Sequence, residues 1–182
     1  MYNYSVKAIV EDVNGDLIIG TWAAGLLRLH RGTHTFYRYP KLNATNSAYS
    51  LYLDNRQRLW IGTWGYGIIR MDNPQNIRHP KIHQYPYTTS HFDTYYKIVH
   101  DPVTKCLWAC TREGVCYLDE DTPNSEWKSY TNIGGNWLNF NNDIATDGYG
   151  NIWLCTQNNG ILQVNTQPSA FKLWELDTSH TR

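Results

Sequence analysis

The sequence predicts an all-β protein made of β-propeller blades: four repeats of about 45 residues, each with four antiparallel strands. Three observations predict it. A stretch of some twenty residues recurs four times along the chain. Each recurrence centres on an unbroken apolar run, the mark of a strand covered on both faces. Composition is rich in aromatic and turn-forming residues, with 8 Trp, 14 Tyr and 13 Gly against 2 Met, which favours strands and turns over helices.

The copies read IVEDVNGDLIIGTWAAGLLRL at 9–29, LYLDNRQRLWIGTWGYGIIRM at 51–71, IVHDPVTKCLWACTREGVCYL at 98–118 and IATDGYGNIWLCTQNNGILQV at 144–164. A threonine recurs at Thr21, Thr63, Thr111 and Thr156, and a glycine follows it at Gly25, Gly67, Gly114 and Gly160. Trp60, Trp108 and Trp153 stand three residues before that threonine, where the first copy has Ile18. Their recurrence at one repeat position assigns them to the core.

Within a copy, the first strand ends at an aspartate, Asp12, Asp54, Asp101 or Asp147, whose side chain can bond the backbone of the turn that follows. The second strand is the apolar run, such as Leu59-Trp60-Ile61. A glycine-containing turn leads to the third strand. An aromatic fourth strand closes the unit, expected at 36–39, 82–85, 127–130 and 171–174. The blades then span about 6–40, 49–86, 95–131 and 141–175, one propeller-repeat array over 1–182. A sandwich would instead alternate apolar and polar residues.

Four blades either close into a small ring or form an arc completed by oligomerisation. An open arc exposes the outer faces of blades one and four, where Ile18, Leu27, Trp153 and Ile161 are expected, and uncovered apolar faces invite association.

Charge excludes some partners. The 16 basic and 16 acidic residues cancel, so no nucleic acid is expected. No apolar run is long enough to span a membrane. No export signal is visible at the start, so the chain is either cytoplasmic or a piece of a longer one.

The pattern Asp-x-x-Gly-x-Leu-Trp-Ile-Gly-Thr-x-x-x-Gly-Leu resembles the two-component regulator propeller repeat. Copies two and four match best; Cys110 and Cys155 replace the motif glycine before the threonine, and Gln57 replaces the turn glycine. The resemblance implies the sensor region of a hybrid two-component histidine kinase of the Bacteroidetes type, responding to carbohydrate. It implies a periplasmic, non-enzymatic role in signal transduction. The kinase, regulator and membrane helix of that family are not in this sequence.

In a propeller, the loop between strands two and three and the linker between blades open on one face. That face should carry Trp22, Trp64 and Tyr66, the linker 88–95 with His91, Phe92 and Tyr95, the Arg112 turn, and the linker 132–141 with Trp137, Asn139 and Phe140. Aromatic rings among amides and cations suit an oligosaccharide: apolar C–H faces stack while hydroxyls hydrogen-bond. Trp22 and Trp64 can equally pack against the next blade. No cofactor or metal is expected: His79 and His83 are separated by Pro80, which breaks a helical pair, and Asp12 to Asp16 reads as a plain turn rather than a calcium loop. Cys110 and Cys116 flank a hairpin turn, either as free thiols or as a bridge. No catalytic constellation stands out. The rivals to a sensor are a protein-interaction or dimerisation scaffold and a propeller lyase or glycosidase.

Overall fold

The repeat folds into sheets because turn-forming residues close a hairpin at each end of its apolar strand. The computed structural model describes residues 5–40, 42, 47–85, 94–122, 125–133, 135–138 and 141–166, with the side chains at 133, 136 and 137 excepted. The first sheet runs β1 (Val6–Glu11), β2 (Leu17–Thr21), β3 (Gly25–Leu29) and β4 (Phe36–Arg38) in chain order. The second runs β5 (Ala48–Leu53), β6 (Leu59–Thr63), β7 (Ile68–Met71) and β8 (Ile82–Tyr85). The third takes β9 (Tyr95–His100), β10 (Cys106–Thr111), β11 (Val115–Asp119) and β12 (Lys128–Tyr130). After a short ribbon of β13 (Asn132–Ile133) and β14 (Asn136–Trp137), the last sheet holds β15 (Asn141–Thr146), β16 (Asn151–Thr156) and β17 (Ile161–Asn165). Its expected closing strand at 171–174 lies outside the described residues. Among the described residues the strand pairs in these registers are antiparallel, and the four repeat sheets are meanders, the blade arrangement the sequence predicts. Among the described residues there is no helix, and none long and apolar enough to cross a membrane. The chain gathers into two compact units, Met1–Ile98 and Val99–Arg182.

The turn aspartates act as expected. Asp12, Asp54 and Asp147 each use Oδ1 to accept the backbone N–H groups two and four residues on. The third copy has one extra turn residue, so Asp101 accepts from Val103 and Thr104. Each turn needs positive φ near its end, at Gly15 and Gly150, but also at Gln57 (φ 60°) and Lys105 (φ 58°), and the fourth turn has it at Gly148 as well. Where the motif glycine is missing, the turn keeps its left-handed backbone at a steric cost of about 1–2 kcal/mol.

In unit 1 the first sheet lays Val10, Ile18, Leu26 and Tyr39 against Leu51, Leu59, Ile61, Ile69 and Met71 of the second. Each fully buried side chain of this kind contributes about 1.5–3 kcal/mol. Ile18 therefore does not lie on the outer face, as the sequence suggested. Strand register pairs it with Val10 and Arg28, on the side turned to the second sheet, and it is fully buried. The other face of the first sheet carries Val6, Ile9 and Phe36, 53%, 56% and 60% exposed.

Every residue of β6 and β10 is buried, so Trp60 and Trp108 are core. β16 differs: Ile152 and Leu154 are buried, Trp153 is half-buried and Cys155 exposed. Assigning Trp153 outright to the core is thus corrected. One face of its strand is only partly covered by the described residues. Of the two alternatives for the cysteine pair, the structure has the thiols. Cys110 stands opposite Val115 and Cys116 opposite Ala109, so the two side chains point to opposite faces of the sheet, and both are buried and outside any disulfide.

The glycine before the repeat threonine has a packing reason. A Cβ on Gly20 would come 2.8 Å from the Ala48 carbonyl oxygen. On Gly62 it would meet the Ser50 hydroxyl and lie 2.8 Å from the Tyr95 carbonyl oxygen. Backbones approach closely there, and Ser50 Oγ donates to that same Tyr95 oxygen at 2.9 Å.

A polar latch closes unit 1 at the other strand ends. Buried Arg28 donates from Nη2 to Asp12 at 2.6 Å, from Nε to Asp16 at 2.9 Å and from Nη1 to the Pro74 carbonyl at 3.3 Å. The buried Tyr39 hydroxyl donates to the same carbonyl at 2.6 Å, and burial pushes its pKa up to about 12.

Replacing Gly62 by alanine should force backbone apart at that contact and destabilise the protein by about 1–3 kcal/mol, read as a lower urea midpoint at constant slope. An unchanged midpoint would show that the close approach is slack.

Candidate ligand-binding site: an aromatic row on the loop edge

The turn between the second and third strands is tied by the repeat threonine. Its hydroxyl donates to the carbonyl of the repeat glycine at 2.8 Å (Thr21 to Gly25), 2.7 Å (Thr63 to Gly67), 3.1 Å (Thr111 to Gly114) and 3.0 Å (Thr156 to Gly160). The residue after the threonine therefore stands at a fixed place on the loop edge. Those residues are Trp22, Trp64, Arg112 and Gln157.

A second position in each repeat reaches the same edge. The first strand carries a bulge: its pairing runs Val6 to Thr21 and Ala8 to Gly20, skipping Lys7. The second copy skips Tyr49 and the fourth skips Asn142 in the same way. A bulge adds an unpaired residue and re-aims its side chain. Tyr96 occupies the equivalent place in the third copy, five residues before Asp101, as Lys7, Tyr49 and Asn142 stand five before Asp12, Asp54 and Asp147.

In unit 1 these positions converge. Trp22 and Trp64 meet edge to face with ring centres 4.8 Å apart. Tyr49 lies 6.3 Å from Trp22 and 6.0 Å from Trp64. Tyr96 continues the row, edge-on to Tyr49 at 5.5 Å. All four rings are half-buried, with one part packed and one part open to solvent. Edge-to-face pairs add about 0.5–1.5 kcal/mol beyond area burial, so the row is pre-organised. The exposed Lys7 ammonium sits over Trp22 at 5.9 Å and over Tyr49 at 5.2 Å. Backbone bonds hold the row: Trp22 N–H donates to the Ser5 carbonyl at 2.8 Å, and Trp64 bridges Thr94.

The expected site residues fare unequally. Trp22 and Trp64 come together. Tyr66 is on the same turn, 38% exposed, its N–H donating to Thr63 Oγ1 at 3.1 Å. Tyr95 is a correction: it is 1% exposed and packs against Gly62, while its neighbour Tyr96 joins the row. Alternation along the strand sends consecutive side chains to opposite sides. Arg112 is exposed on its turn in unit 2, where the buried Asn141 amide holds the turn by donating to the Thr111 and Gly114 carbonyls. Trp137 lies in β14, paired with Asn132, and its side chain is outside the described residues. So are His91, Phe92, Asn139 and Phe140.

Sequence reading missed Lys7, Tyr49 and Tyr96. The signal was present: all three precede a turn aspartate by five residues. Reading a strand as strict alternation hides a bulge.

At the opposite strand ends of unit 1 lies an open hollow of about 700 Å³, lined by Asp16, Arg28, His30, Arg31, Tyr37 and Gln75 among others. Its acid is already engaged. The Arg31 N–H bond holds the Asp16 carboxyl below its usual range, against the opposing effect of burial and with help from Arg28. Among the described residues no three metal-ligating side chains cluster. His83 Nε2 is 2.8 Å from the Asp72 carboxylate, while His79 donates its backbone N–H to Asn76. Asp12, the head of the calcium-like turn, has both oxygens occupied by backbone N–H groups and Arg28.

Residues 43–65 match the two component regulator propeller family, so the chain carries that repeat. No curated protein sequence matches it. Solved structures do. PorZ, a surface component of the type-IX secretion system of Porphyromonas gingivalis, superposes with a TM-score of 0.72 at 15% identity, over 97% of this chain and 28% of PorZ. An extracellular domain assigned to a hybrid two component system of B. thetaiotaomicron gives 0.72 at 22%, over 94% and 23%. Virginiamycin B lyase of Staphylococcus aureus gives 0.72 at 16%, over 96% and 56%. These likenesses show the fold. This chain spans between 23% and 56% of the length of those proteins.

Replacing Thr63 by valine should cost about 1–3 kcal/mol, because the Tyr66 N–H loses its acceptor and the buried Gly67 carbonyl keeps only the Thr63 backbone N–H of its two donors. The same change at Thr156, where water reaches the turn, should cost less than half as much. Equal losses in paired urea titrations would remove the hydroxyl clamp as the reason the threonine recurs.

Proposed function

We propose that this chain is the ligand-binding part of an extracytoplasmic two-component sensor, its four repeats acting as one propeller array, and that it binds an oligosaccharide along the Trp22–Tyr49–Trp64–Tyr96 row. The carrying observation is that row. Four half-exposed rings stand at the two repeat positions that the scaffold leaves free of core duty. Sugar rings present apolar C–H faces that stack on such rings, and their hydroxyls find amide, hydroxyl and ammonium partners at the margins. The role is non-enzymatic and periplasmic, with the signal passed on by sheets shifting against a partner. The family match and the resemblance to an extracellular sensor domain support this reading.

A glycan array followed by calorimetry tests it. Trp22→Ala and Trp64→Ala should each weaken carbohydrate binding at least tenfold, about 1.4 kcal/mol, with the melting temperature lowered by only a few degrees. Undiminished affinity in both variants would remove the site. New reducing ends or unsaturated sugars formed by the pure chain would replace the sensor with a lyase or glycosidase.

A second reading has its own observation. Val6, Ile9 and Phe36 share one exposed face of the first sheet, and Ile161 is 46% exposed on the last. Apolar faces of this kind favour association, with a second copy or with further blades. Sedimentation should show concentration-dependent dimers that Ile9→Lys abolishes; a monomer at every concentration would refute pairing between copies.

A further inference from the structure

We infer that the aromatic row selects acidic carbohydrate, and that Lys7 is the residue that reads the carboxylate. The inference rests on the oligosaccharide reading of the row. Lys7 is the unpaired residue of the β1 bulge, so no ladder requirement fixes its identity. The equivalent bulge positions in the next two copies hold Tyr49 and Tyr96, which extend the stacking surface. Lys7 instead brings a positive charge to the same edge, held above Trp22 and Tyr49.

That charge is unspent. Lys7 is exposed and lies over the two ring faces, with no carboxylate within ion-pair distance among the described residues. An ammonium over aromatic faces keeps its donors available on the solvent side. A sugar ring lying on Trp22 and Tyr49 brings its substituents to that ammonium, and a carboxylate there forms a charge-assisted hydrogen bond stronger than a neutral hydroxyl can make.

The repeat pattern supplies an independent observation. The chain as a whole is neutral, with equal numbers of acids and bases. Yet the bulge positions and the positions after the threonine include two cations, Lys7 and Arg112, and no acid in any of the four copies. An edge built to hold neutral sugars through carboxylate acceptors would carry acids there. In unit 1 these positions carry four aromatic rings and the Lys7 cation.

The test is a glycan array that pairs uronic-acid oligosaccharides with their carboxyl-reduced, neutral forms, with sulfated neutral sugars as a further arm. Hits are followed by calorimetry on the whole chain at low and moderate salt. Acidic members should bind at least fivefold more tightly than their reduced partners, with a preference that weakens as salt rises. Lys7→Met should abolish the preference by weakening acidic members at least fivefold more than their reduced partners, and Lys7→Arg should keep it. Reduced sugars binding as tightly as acids, or a preference that survives Lys7→Met, would overturn the inference while the carbohydrate reading stands. Tighter binding of sulfated sugars than of uronates would overturn the carboxylate assignment. The absence of saturable binding to any sugar would overturn both.

Discussion

A hydrogen bond from a threonine hydroxyl to a glycine carbonyl, made four times, is the interaction on which the rest of this structure depends. It joins the end of the apolar strand to the start of the next, at 2.7 to 3.1 Å in every copy. A hairpin turn of three or four residues has too few backbone bonds to fix its own shape. The hydroxyl adds one from inside the turn, where Thr21, Thr63 and Thr111 are all buried. The residue before the threonine is then pressed against neighbouring backbone and must be small at Gly20 and Gly62. The residue after it is turned outward. One bond thus divides three consecutive positions into packing, clamping and presenting.

The aspartate turn at the other end of the strand is a looser constraint, and the copies satisfy it differently. In three copies one carboxylate oxygen organises the turn and the second finds its own partner, whereas in the third copy both Asp101 oxygens accept turn N–H groups. Asp12 takes Arg28. Asp54 takes Arg58 at 2.6 Å and the Trp60 indole at 2.9 Å. Asp147 takes Asn151 at 2.6 Å and the Trp153 indole at 3.3 Å. In the third copy the longer turn lets the Thr104 hydroxyl occupy Asp101 at 2.6 Å, and the buried Trp108 Nε1 is left without a hydrogen-bond acceptor. Its ring stacks on Tyr117 at 5.0 Å instead. The tryptophan is therefore kept for its volume, since one copy dispenses with its indole bond and another dispenses with the ring.

This difference between strict and loose constraints explains what the sequence disclosed. Positions fixed by the same contact in every copy recur as the same residue, so the threonine, the glycine and the aspartate revealed four blades and their strand order. Positions fixed by what lies on the far side of a sheet do not. Ile18 was expected outside and lies inside, because only register says which face of β2 meets the second sheet. Tyr95 and Tyr96 are indistinguishable as letters, and only the orientation of their strand decides which is core and which is edge. Trp22 and Trp64 were legible as edge residues through their place after the threonine. Lys7 and Tyr49 were not, because bulge residues break the alternation by which strands are recognised, and Tyr96 was hidden beside Tyr95.

The contrast between Trp60 and Trp64 shows why the row is more than incidental surface. They are the same residue type four positions apart. Trp60 sits on the strand, has no exposed surface, lies against Tyr85 and takes Arg58 and Arg70 over its ring. Trp64 sits past the clamp, where burial is not available to it. A repeat that needed only to close its turn there could use any small polar residue, as Gln157 does in the fourth copy. Two adjacent copies instead place their largest side chains on that edge, and Tyr49, which meets both, comes from a bulge that leaves side-chain choice open. Large apolar rings gathered at positions that the scaffold does not require have a cost in solubility. Selection tolerates that cost where the exposed surface is covered in use.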